Sequence, residues 1–433
     1  MKGVLSMAIP KIMFAGGGER GQYLTHKGND TTIRFVLKYP GLIDPDVLRA
    51  AVKAIVESVD ILHSTFFVDP NAAFWKVNGE MDDNNFFRYI RTEGDPMVVA
   101  KSLSVYPVYH EDKCQLRCEL VQNDVESAMV LCISHLCVDG GDGKYLLNKL
   151  VEAYNMILET GSADALEIKN GSRAPEKVYE NVDLKDAKGM FKAPMSRGVT
   201  SAYPFPTEGA GMCRVTTSVI PCDVMTAARK KAKAVDASAN DLLLAAAYQV
   251  YADFPEVDRN SGISISSMMD LRRHCKDGES EGLCNMSGAL PTAMPDGVPE
   301  NFEETLLAIA KQTNAAKDDP VAGLAFLPIL HTLARGIPVW MQMTVIAKAY
   351  GAMPVGLTNL GNVKCETLAL GGLIPTAGVF GGPLKKKGGM QISIMSFDGE
   401  CVLACYGQYT AEDAAHIQKT LDAMVQKITD YSM

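Results

Sequence analysis

The sequence predicts an α/β protein built from two domains of similar size. Its 433 residues are 47% apolar and 21% charged, a balance typical of a folded chain that buries a large core. Both halves combine short apolar runs of strand length with longer amphipathic runs of helix length. A polar stretch rich in Gly, Pro, Ser and Lys separates the halves. We therefore expect a first domain over 1–165, a linker over 166–210 and a second domain over 211–433.

The first half predicts a helix, two strands and a second helix, in that order. The first helix should run from about 44 to 59, because Asp44 suits its N-cap and apolar residues recur every three or four positions. That apolar stripe consists of Leu48, Val52, Ile55 and Val59. A strand is expected near 114–121, and the continuous apolar run 128–133 is typical of a strand buried on both faces. A helix over about 143–158 should follow a Gly-rich turn.

The second half repeats this mixture of strands and helices. We expect a strand over 213–220, helices over 223–235 and 239–252, strands over 390–396 and 401–407, and a final helix that begins at Thr410. Ser238 and Asp241 have the spacing of a capping box at the start of the very apolar second helix. Asp398-Gly399 favours a tight turn between the two strands. Helices and strands in both halves thus support the α/β class.

An apolar stretch over 321–355 contains few charged residues. Prolines divide it into short pieces, and Arg335 and Lys348 interrupt it, so no run of about 20 apolar residues could span a membrane. We interpret this stretch as helices that face the core. Its methionines and Trp340 would also suit the lining of an apolar channel, since methionine adapts to varied apolar shapes.

Composition argues against several classes of partner and compartment. Lys and Arg total 42 against 51 Asp and Glu, a net charge of −9, and the longest basic run is Lys385–Lys387. We therefore expect no nucleic-acid or anionic-membrane partner. The eleven cysteines include no Cys-x-x-Cys pair, which favours reduced, mostly buried thiols in a cytoplasmic protein and no metal site. Pro10 and Lys11 interrupt the apolar N-terminus before it reaches the length of a secretory signal.

The segment from Ser134 to Gly141 has the pattern of a catalytic turn. His135 comes where a buried strand should end, and Asp139-Gly140 forces a tight turn into the next helix. A rigidly held imidazole suits a general base, because its ordinary pKa of about 6.5 is already near neutral. A packed histidine followed by an ordinary turn fits the same residues, and the pattern alone leaves both interpretations open.

Two glycine-rich segments suggest a phosphate-binding or dinucleotide-binding site, but neither matches the full motif. Gly140–Lys144 resembles a phosphate loop, but Val138 stands where that loop needs glycine and Tyr145 where it needs Ser or Thr. Gly16–Gly18 lacks the rest of a dinucleotide fingerprint. The chain also has no Gly-x-Ser-x-Gly elbow, which argues against the common class of serine hydrolases.

Four further stretches accompany the motif His135-x-x-x-Asp139-Gly140. They are Ile61-Leu62-His63-Ser64-Thr65-Phe66, Ser238-Ala239-Asn240-Asp241-Leu242-Leu243-Leu244-Ala245-Ala246, Asp270-Leu271-Arg272-Arg273 with Asn285 after Gly282, and Thr358-Asn359-Leu360-Gly361. All five resemble, in chain order, the condensation-domain and chloramphenicol-acetyltransferase-like superfamily of CoA-dependent acyltransferases. Its patterns there are "HPxLRTxF", "HxxxDG", "TxNDxLLAA", "DLR…GN" and "SNLG". The resemblance covers about residues 30–430.

The resemblance implies both a fold and an activity. The fold would be two chloramphenicol-acetyltransferase-like subdomains forming a pseudo-dimer, with His135 in a tunnel between them. His135 would take a proton from a hydroxyl or amine acceptor as it attacks a thioester, without a covalent acyl-enzyme. Acyl-CoA or a carrier-protein thioester would be the co-substrate, and no bound cofactor or metal is implied.

The resemblance also implies roles for residues around His135. Asp139 would order the loop by pairing with an arginine of the second half, either Arg272 or Arg273, and Gly140 would complete the turn. Asn359, with Thr358 beside it, would donate a hydrogen bond near the oxyanion. A polar turn, with Gly361 in a special backbone conformation, explains the Thr358–Gly361 stretch equally well.

One departure from the superfamily pattern bears on function. Peptide-forming condensation domains usually carry a second histidine directly before the first, and here Ser134 takes that position. His63 also replaces the usual arginine of its segment, so no role is carried onto it. Ser134, and the absence of a recognisable adenylation or carrier-protein domain in this sequence, favour a free-standing O- or N-acyltransferase with a small or lipidic acceptor. Because a pseudo-dimer needs no partner to complete its tunnel, we expect a monomer. The alternatives are a carrier-protein-dependent, amide-forming condensation enzyme and a catalytically silent docking module of the same fold.

Overall fold

The computed structural model describes residues 11–69, 72–79, 81–178, 203–275, 277–319, 321–324, 338, 341, 355–386 and 388–433. Three features discussed above fall partly or wholly outside these residues. They are the N-terminal apolar run, the predicted linker between 179 and 202, and most of the apolar stretch over 321–355, including Trp340.

Within the described residues, helices and strands alternate along both halves of the chain. The α-helices are α1 (Gly17–Leu24), α2 (Pro45–Ser58), α3 (Pro96–Ser104), α4 (Gly140–Thr160), α5 (Cys222–Ala234), α6 (Ala239–Ala252), α7 (Phe302–Asp318) and α8 (Ala411–Ser432). The strands are β1 (Ile12–Phe14), β2 (Thr32–Tyr39), β3 (Ser64–Val68), β4 (Ala73–Val77), β5 (Phe87–Arg91), β6 (Leu116–Gln122), β7 (Ser127–Ser134), β8 (Met212–Ile220), β9 (Ile263–Asp270), β10 (Ser287–Met294), β11 (Val355–Val363), β12 (Ala377–Gly381), β13 (Met390–Phe397) and β14 (Glu400–Tyr409). The predicted class, α/β, is confirmed.

The first sheet has five strands in the order β12-β2-β7-β6-β5. The apolar stripes of α2 and α4 cover one of its faces, as their periodicity predicts. Its other face packs against α3 and against β14 of the second sheet. Strand β7 is therefore buried along its whole length, which confirms the prediction made from the run 128–133. This rigid central strand leads directly into His135.

The second sheet has six strands in the order β10-β9-β11-β13-β14-β8. Helices α5, α6, α7 and α8 pack together against one face of this sheet and form a second core. Helix α6 is buried on all sides from Asp241 onward, and the predicted capping box of Ser238 and Asp241 is present. The predicted turn at Asp398-Gly399 joins β13 to β14, and both of its residues have positive φ.

Strand β12 links the two halves of the molecule. Although it belongs to the second half of the chain, it pairs antiparallel with β2 at the edge of the first sheet. Arg34 of β2, which is fully buried, also donates to the carbonyl of Gly382 directly after β12, at 3.1 Å. The segment predicted as the second domain, 211–433, thus contributes a strand to the first sheet.

A separate small sheet and the cysteines complete the description. Strands β1, β4 and β3 form a three-stranded sheet whose Trp75 is buried. None of the eleven cysteines forms a disulfide, and eight of them are buried: Cys114, Cys118, Cys132, Cys137, Cys284, Cys365, Cys401 and Cys405. No helix in the part of the chain that the structure describes has the length and apolar character needed to traverse a bilayer.

Candidate functional site

His135 lies where the central strand of the first sheet ends. Its backbone N–H donates to the carbonyl of Thr31 at 2.7 Å, which ties His135 to the residue directly before strand β2. The side chain is half-buried. Its Nδ1 lies 2.9 Å from the amide nitrogen of Asn285, a residue of the second half. The imidazole is thus held at the junction of the two subdomains.

The surroundings of His135 favour a neutral imidazole. Burial lowers the pKa of His135 because a charged ring loses hydration, and the carboxylate of Asp139 opposes this shift only in part. A neutral ring at pH 7 has one nitrogen with a free lone pair, so it can accept a proton. The electrostatic environment of His135 therefore suits a general base at neutral pH.

Asp139 is the N-cap of helix α4. Its Oδ1 accepts a hydrogen bond from the backbone N–H of Asp142 at 2.9 Å, which satisfies one of the free donors at the helix start. The helix consequently begins at Gly140, three residues before the predicted start at 143. The predicted start lies too far along the chain because the glycines were interpreted as a turn before the helix, whereas they form its first turn.

The other oxygen of Asp139 binds the second subdomain. Oδ2 accepts from Arg272 Nη1 and from the backbone N–H of Met286, both at 2.7 Å. Arg273 does not take part, because its guanidinium is directed to the carbonyl of Lys317 at the end of α7. The structure therefore selects Arg272 from the two predicted partners, and both oxygens of Asp139 are already engaged.

Asp142 is a second buried carboxylate beside the same guanidinium. It lies 2.9 Å from Arg272 Nη2 and accepts from the backbone N–H of Cys284 at 2.7 Å. Burial raises the pKa of Asp142, and repulsion from Asp139 adds to this effect. Burial would lower the pKa of Arg272, but Asp139 and Asp142 raise it above its usual value. One guanidinium thus joins two carboxylates across the subdomain junction.

Gly140 lies against two residues from the second half of the chain. A β-carbon at this position would lie 3.4 Å from Cδ1 of Leu360 and 3.6 Å from Cζ of Phe380, both residues of the second half. The start of α4 therefore packs against β11 of the second sheet and β12 of the first.

Thr358 and Asn359 lie on β11, beside Leu360. The side-chain oxygen of Asn359 accepts from the backbone N–H of Gly361 at 2.9 Å. Gly361 has a φ of +79°, and the pairing with β13 is irregular between Asn359 and Asn362. Among the described residues, His135 makes no hydrogen bond to Thr358 or Asn359. The structure thus shows the special backbone conformation at Gly361, within a bulged strand, and the oxyanion role stays a prediction.

Two cations of the site come from a segment that was predicted to be linker. The ammonium of Lys169 contacts Asp142, and Arg173 donates to the carbonyls of Cys137 and Leu283. Local patterns do not identify these two residues, because their partners lie far away in the sequence. Of their partners, only Asp142 could have been suspected from the sequence. It is the third residue of a helix that Asp139 caps, so its side chain should lie near Asp139.

In the described part of the chain, no group of three or more His, Cys, Asp or Glu side chains is placed to hold a metal ion. The buried ionisable cluster is instead neutralised internally, by Arg272 and Lys169. His135 remains as the ionisable side chain of the motif that is not committed to an ion pair.

The sequence matches no family model and no curated protein, but the structure is similar to solved structures. A trichothecene 15-O-acetyltransferase from Fusarium sporotrichioides is 12% identical with a TM-score of 0.74, covering 97% of this chain and 95% of that one. Polyketide synthase associated protein 5 from Mycobacterium tuberculosis is 14% identical with a TM-score of 0.72, covering 98% and 99%.

The first condensation domain of the calcium-dependent antibiotic synthetase is also similar. It is 15% identical with a TM-score of 0.71, and the match covers 98% of this chain and 97% of that one. Each match extends over both subdomains, so the sheets and their connection through β12 are compared together. The chain therefore has the two-subdomain, pseudo-dimeric fold shared by condensation domains and chloramphenicol-acetyltransferase-like acyltransferases, as its five sequence stretches predicted.

Proposed function

We propose that this protein is an acyltransferase that moves an acyl group from a thioester donor to a hydroxyl or amine acceptor. Acyl-CoA is the proposed donor, and a carrier-protein thioester is the alternative. The observation that carries the proposal is the state of His135. Its imidazole is fixed at the subdomain junction, is kept neutral by burial, and is not bound in the ion-pair cluster beside it.

The proposed reaction uses His135 as the general base. Its free ring nitrogen takes the proton from the acceptor O–H or N–H while the acceptor attacks the thioester carbonyl carbon. The tetrahedral intermediate collapses, the carbon–sulfur bond breaks, and the thiolate receives the proton from the imidazolium. The acyl group ends on the acceptor, the free thiol leaves, and His135 returns to its neutral form without a covalent acyl-enzyme.

Asp139 acts through structure in this proposal. One of its oxygens caps α4 and the other binds Arg272 and Met286 N–H, so it has no free oxygen to direct at the imidazole. Its nearby negative charge would nevertheless favour the imidazolium that forms during the reaction. The proposed role of Asp139 is therefore to fix the loop and to support the charge on His135.

Asn359 and Thr358 are the proposed donors to the oxyanion. Both lie on β11, whose Leu360 contacts the start of α4 at Gly140, so the strand runs beside the motif. Thr358 lies opposite Ser393 in the register with β13. Polar side chains on a strand beside the start of α4 would suit the developing negative charge of the thioester oxygen.

Release of CoA, detected by mass spectrometry, tests the proposal. Purified protein would receive a panel of acyl-CoAs with pooled alcohol and amine acceptors. We expect acceptor-dependent release that falls about 10²–10⁴-fold in His135→Ala. His63→Ala is the matched control, because Nδ1 of His63 donates to the carbonyl of Asn78 and Nε2 faces Asp60, and neither partner belongs to the site. Its turnover should stay near that of the unchanged protein.

Holo-carrier donors form the second arm of this experiment. Turnover with carrier thioesters but not with acyl-CoA would establish the carrier-dependent alternative. The proposal fails if neither donor is consumed, or if His135→Ala retains full turnover. A partner captured without any thioester turnover would then support the docking module.

A further inference from the structure

Asp30 is a second aspartate near the His135 turn that binds the other half of the chain. Its Oδ1 accepts from the backbone N–H of Leu384 at 2.9 Å, and its own backbone N–H donates to the Leu384 carbonyl at 2.9 Å. The next residue, Thr31, is the one whose carbonyl accepts from the backbone N–H of His135 at 2.7 Å. Asp30 thus joins a segment of the second half to the residue that holds His135.

Arg34 of β2 is the cation that pairs with Asp30. Its guanidinium contacts the Asp30 carboxylate and is fully buried. Its Nη1 also donates to the carbonyls of Thr32, at 2.8 Å, and of Gly382, at 3.1 Å. Because a buried charge is costly unless it is paired and hydrogen-bonded, these contacts define the position of the guanidinium. Asp30 and Arg34 therefore hold the second half at two points, Leu384 and Gly382.

Gly382 connects this pair to the strand of the proposed oxyanion donors. Its backbone N–H donates to the hydroxyl of Ser393 at 2.9 Å, and Ser393 lies opposite Thr358 in the pairing of β13 with β11. A β-carbon at Gly382 would lie 3.5 Å from Cγ2 of Thr358, so the two residues are neighbours. A short series of contacts thus runs from the residue that holds His135 to Thr358.

Asp30 also acts on the imidazole of His135 through space. Burial lowers the pKa of His135 most strongly, while Asp139 and, more weakly, Asp30 raise it. A carboxylate has this effect because it favours the charged ring. The cation of Arg34 offsets the charge of Asp30, so loss of one member of the pair and loss of the other should act on His135 in opposite directions.

We propose that Asp30 and Arg34 are a positioning pair that sets His135 at a fixed distance from Thr358 and Asn359. The consequence for catalysis rests on the proposed function, in which the base comes from the first half of the chain and the oxyanion donors from the second. A base and an oxyanion site act on the same thioester only when their separation is correct.

This pair gives the two halves a second charged attachment near His135. Asp139 and Arg272 join the halves at the start of α4, and Asp30 and Arg34 join them at the start of β2. Two separate attachments restrict rotation of one half about the other more than a single attachment does. The imidazole is thereby fixed relative to the second sheet.

Substitution Asp30→Asn gives the first test. The asparagine oxygen can still accept a backbone N–H, but the negative charge is lost and Arg34 stays buried without its carboxylate. We expect kcat for thioester turnover to fall about 10- to 100-fold, with KM nearly unchanged. The pKa of His135 should also fall, because a nearby negative charge is removed. NMR titration measures that pKa, and the His135 signal is identified by its loss in His135→Gln.

Asp95→Asn is the matched control for this substitution. Asp95 likewise pairs with a cation of β2, Lys38, and accepts a backbone N–H, that of Met97 at 2.9 Å. It has no part in the site, so kcat and the titration of His135 should stay as in the unchanged protein.

Substitution Arg34→Met removes the other charge of the pair. Asp30 is then uncompensated, so the pKa of His135 should rise, whereas kcat should fall as it does in Asp30→Asn. A general loosening of the fold would instead expose the imidazole and raise its pKa in both variants, since burial is what lowers it. Opposite shifts therefore separate a positioning pair from a merely structural one.

The double variant Asp30→Asn/Arg34→Met covers the case in which a single variant does not fold, because removing both buried charges is tolerated better than removing one. Its kcat should stay low, while the pKa of His135 returns towards that of the unchanged protein. Full kcat in the folded double variant, or single variants whose His135 pKa values do not shift in opposite directions, would overturn the proposal. The titrations need no substrate, so absence of turnover in the unchanged protein would defeat the proposed function, and the titrations would still decide on the pair.

Discussion

Arg272 and Arg273 are neighbours in the chain with opposite environments. Arg272 is buried and contacts the carboxylates of Asp139, Asp142 and Asp270, whereas Arg273 is exposed with one contact to a backbone carbonyl. We expect Arg272→Ala to lower the free energy of unfolding by about 3–5 kcal/mol, because it leaves buried carboxylates without their partner. Arg273→Ala is the matched control and should change it by no more than about 0.5 kcal/mol. Urea denaturation of both variants measures the difference.

Equal losses in these two variants would contradict the role assigned to Arg272. If Arg272→Ala instead kept its stability but lost activity, Arg272 would take part in the reaction and would not be a support of the loop. The sequence could name both arginines but not choose between them, since their separation is decided by a single 3₁₀ turn over Leu271–His274. That choice depends on where the second subdomain docks.

The site residues that could be predicted from the sequence are those whose contacts lie close to them in the chain. His135 and Asp139 stand out because strand end, helix cap and turn occur within one short segment. Lys169 and Arg173 escape prediction, since their partners come from segments that only the tertiary fold brings near. Asn285 belonged to a recognised stretch, but its contact with His135 depends on backbone hydrogen bonds that no residue pattern shows.

Helices and strands could likewise be predicted where their interactions are local in the chain, and not where they depend on distant segments. Helices α2, α6 and α8 match their predictions closely, because each has a cap and an apolar periodicity that the chain carries locally. Strand β12 was not predicted. Its residues include two glycines, and its pairing partner β2 lies more than 300 positions earlier, so its existence depends on the docking of the two halves.

Packing around β12 leads to a prediction at Gly381. A β-carbon at this position would lie 2.3 Å from the ring of Tyr406, which is buried and whose hydroxyl meets that of Ser104. We expect Gly381→Ala to destabilise the fold by about 1–3 kcal/mol through overpacking. Gly79→Ala is the control, because a β-carbon there would have no neighbour within 4 Å. Thermal unfolding of both variants makes the comparison, and equal melting temperatures would show that β12 can shift at little cost.

At the scale of the whole molecule, several kinds of contact cross between the subdomains. Strand β12 extends the first sheet, β14 packs against the opposite face of that sheet, and Arg272 joins Asp139 and Asp142. Arg34 adds a buried charge that bonds to Asp30 and to the carbonyl of Gly382. Loss of either subdomain would expose an unpaired strand edge and leave buried charges without partners, so neither half should persist alone.

The two cores should therefore unfold in one cooperative transition. Cys118 lies in the first core and Cys405 in the second. Burial raises the pKa of both thiols, that of Cys405 to about 11. Brief alkylation at each urea concentration, with mass-spectrometric counting at each cysteine, reports both cores in one sample. Coincident midpoints are expected for a two-state transition. Exposed Cys213 should react throughout and serves as the internal control; exposure of Cys118 at lower urea than Cys405 would show that the subdomains unfold separately.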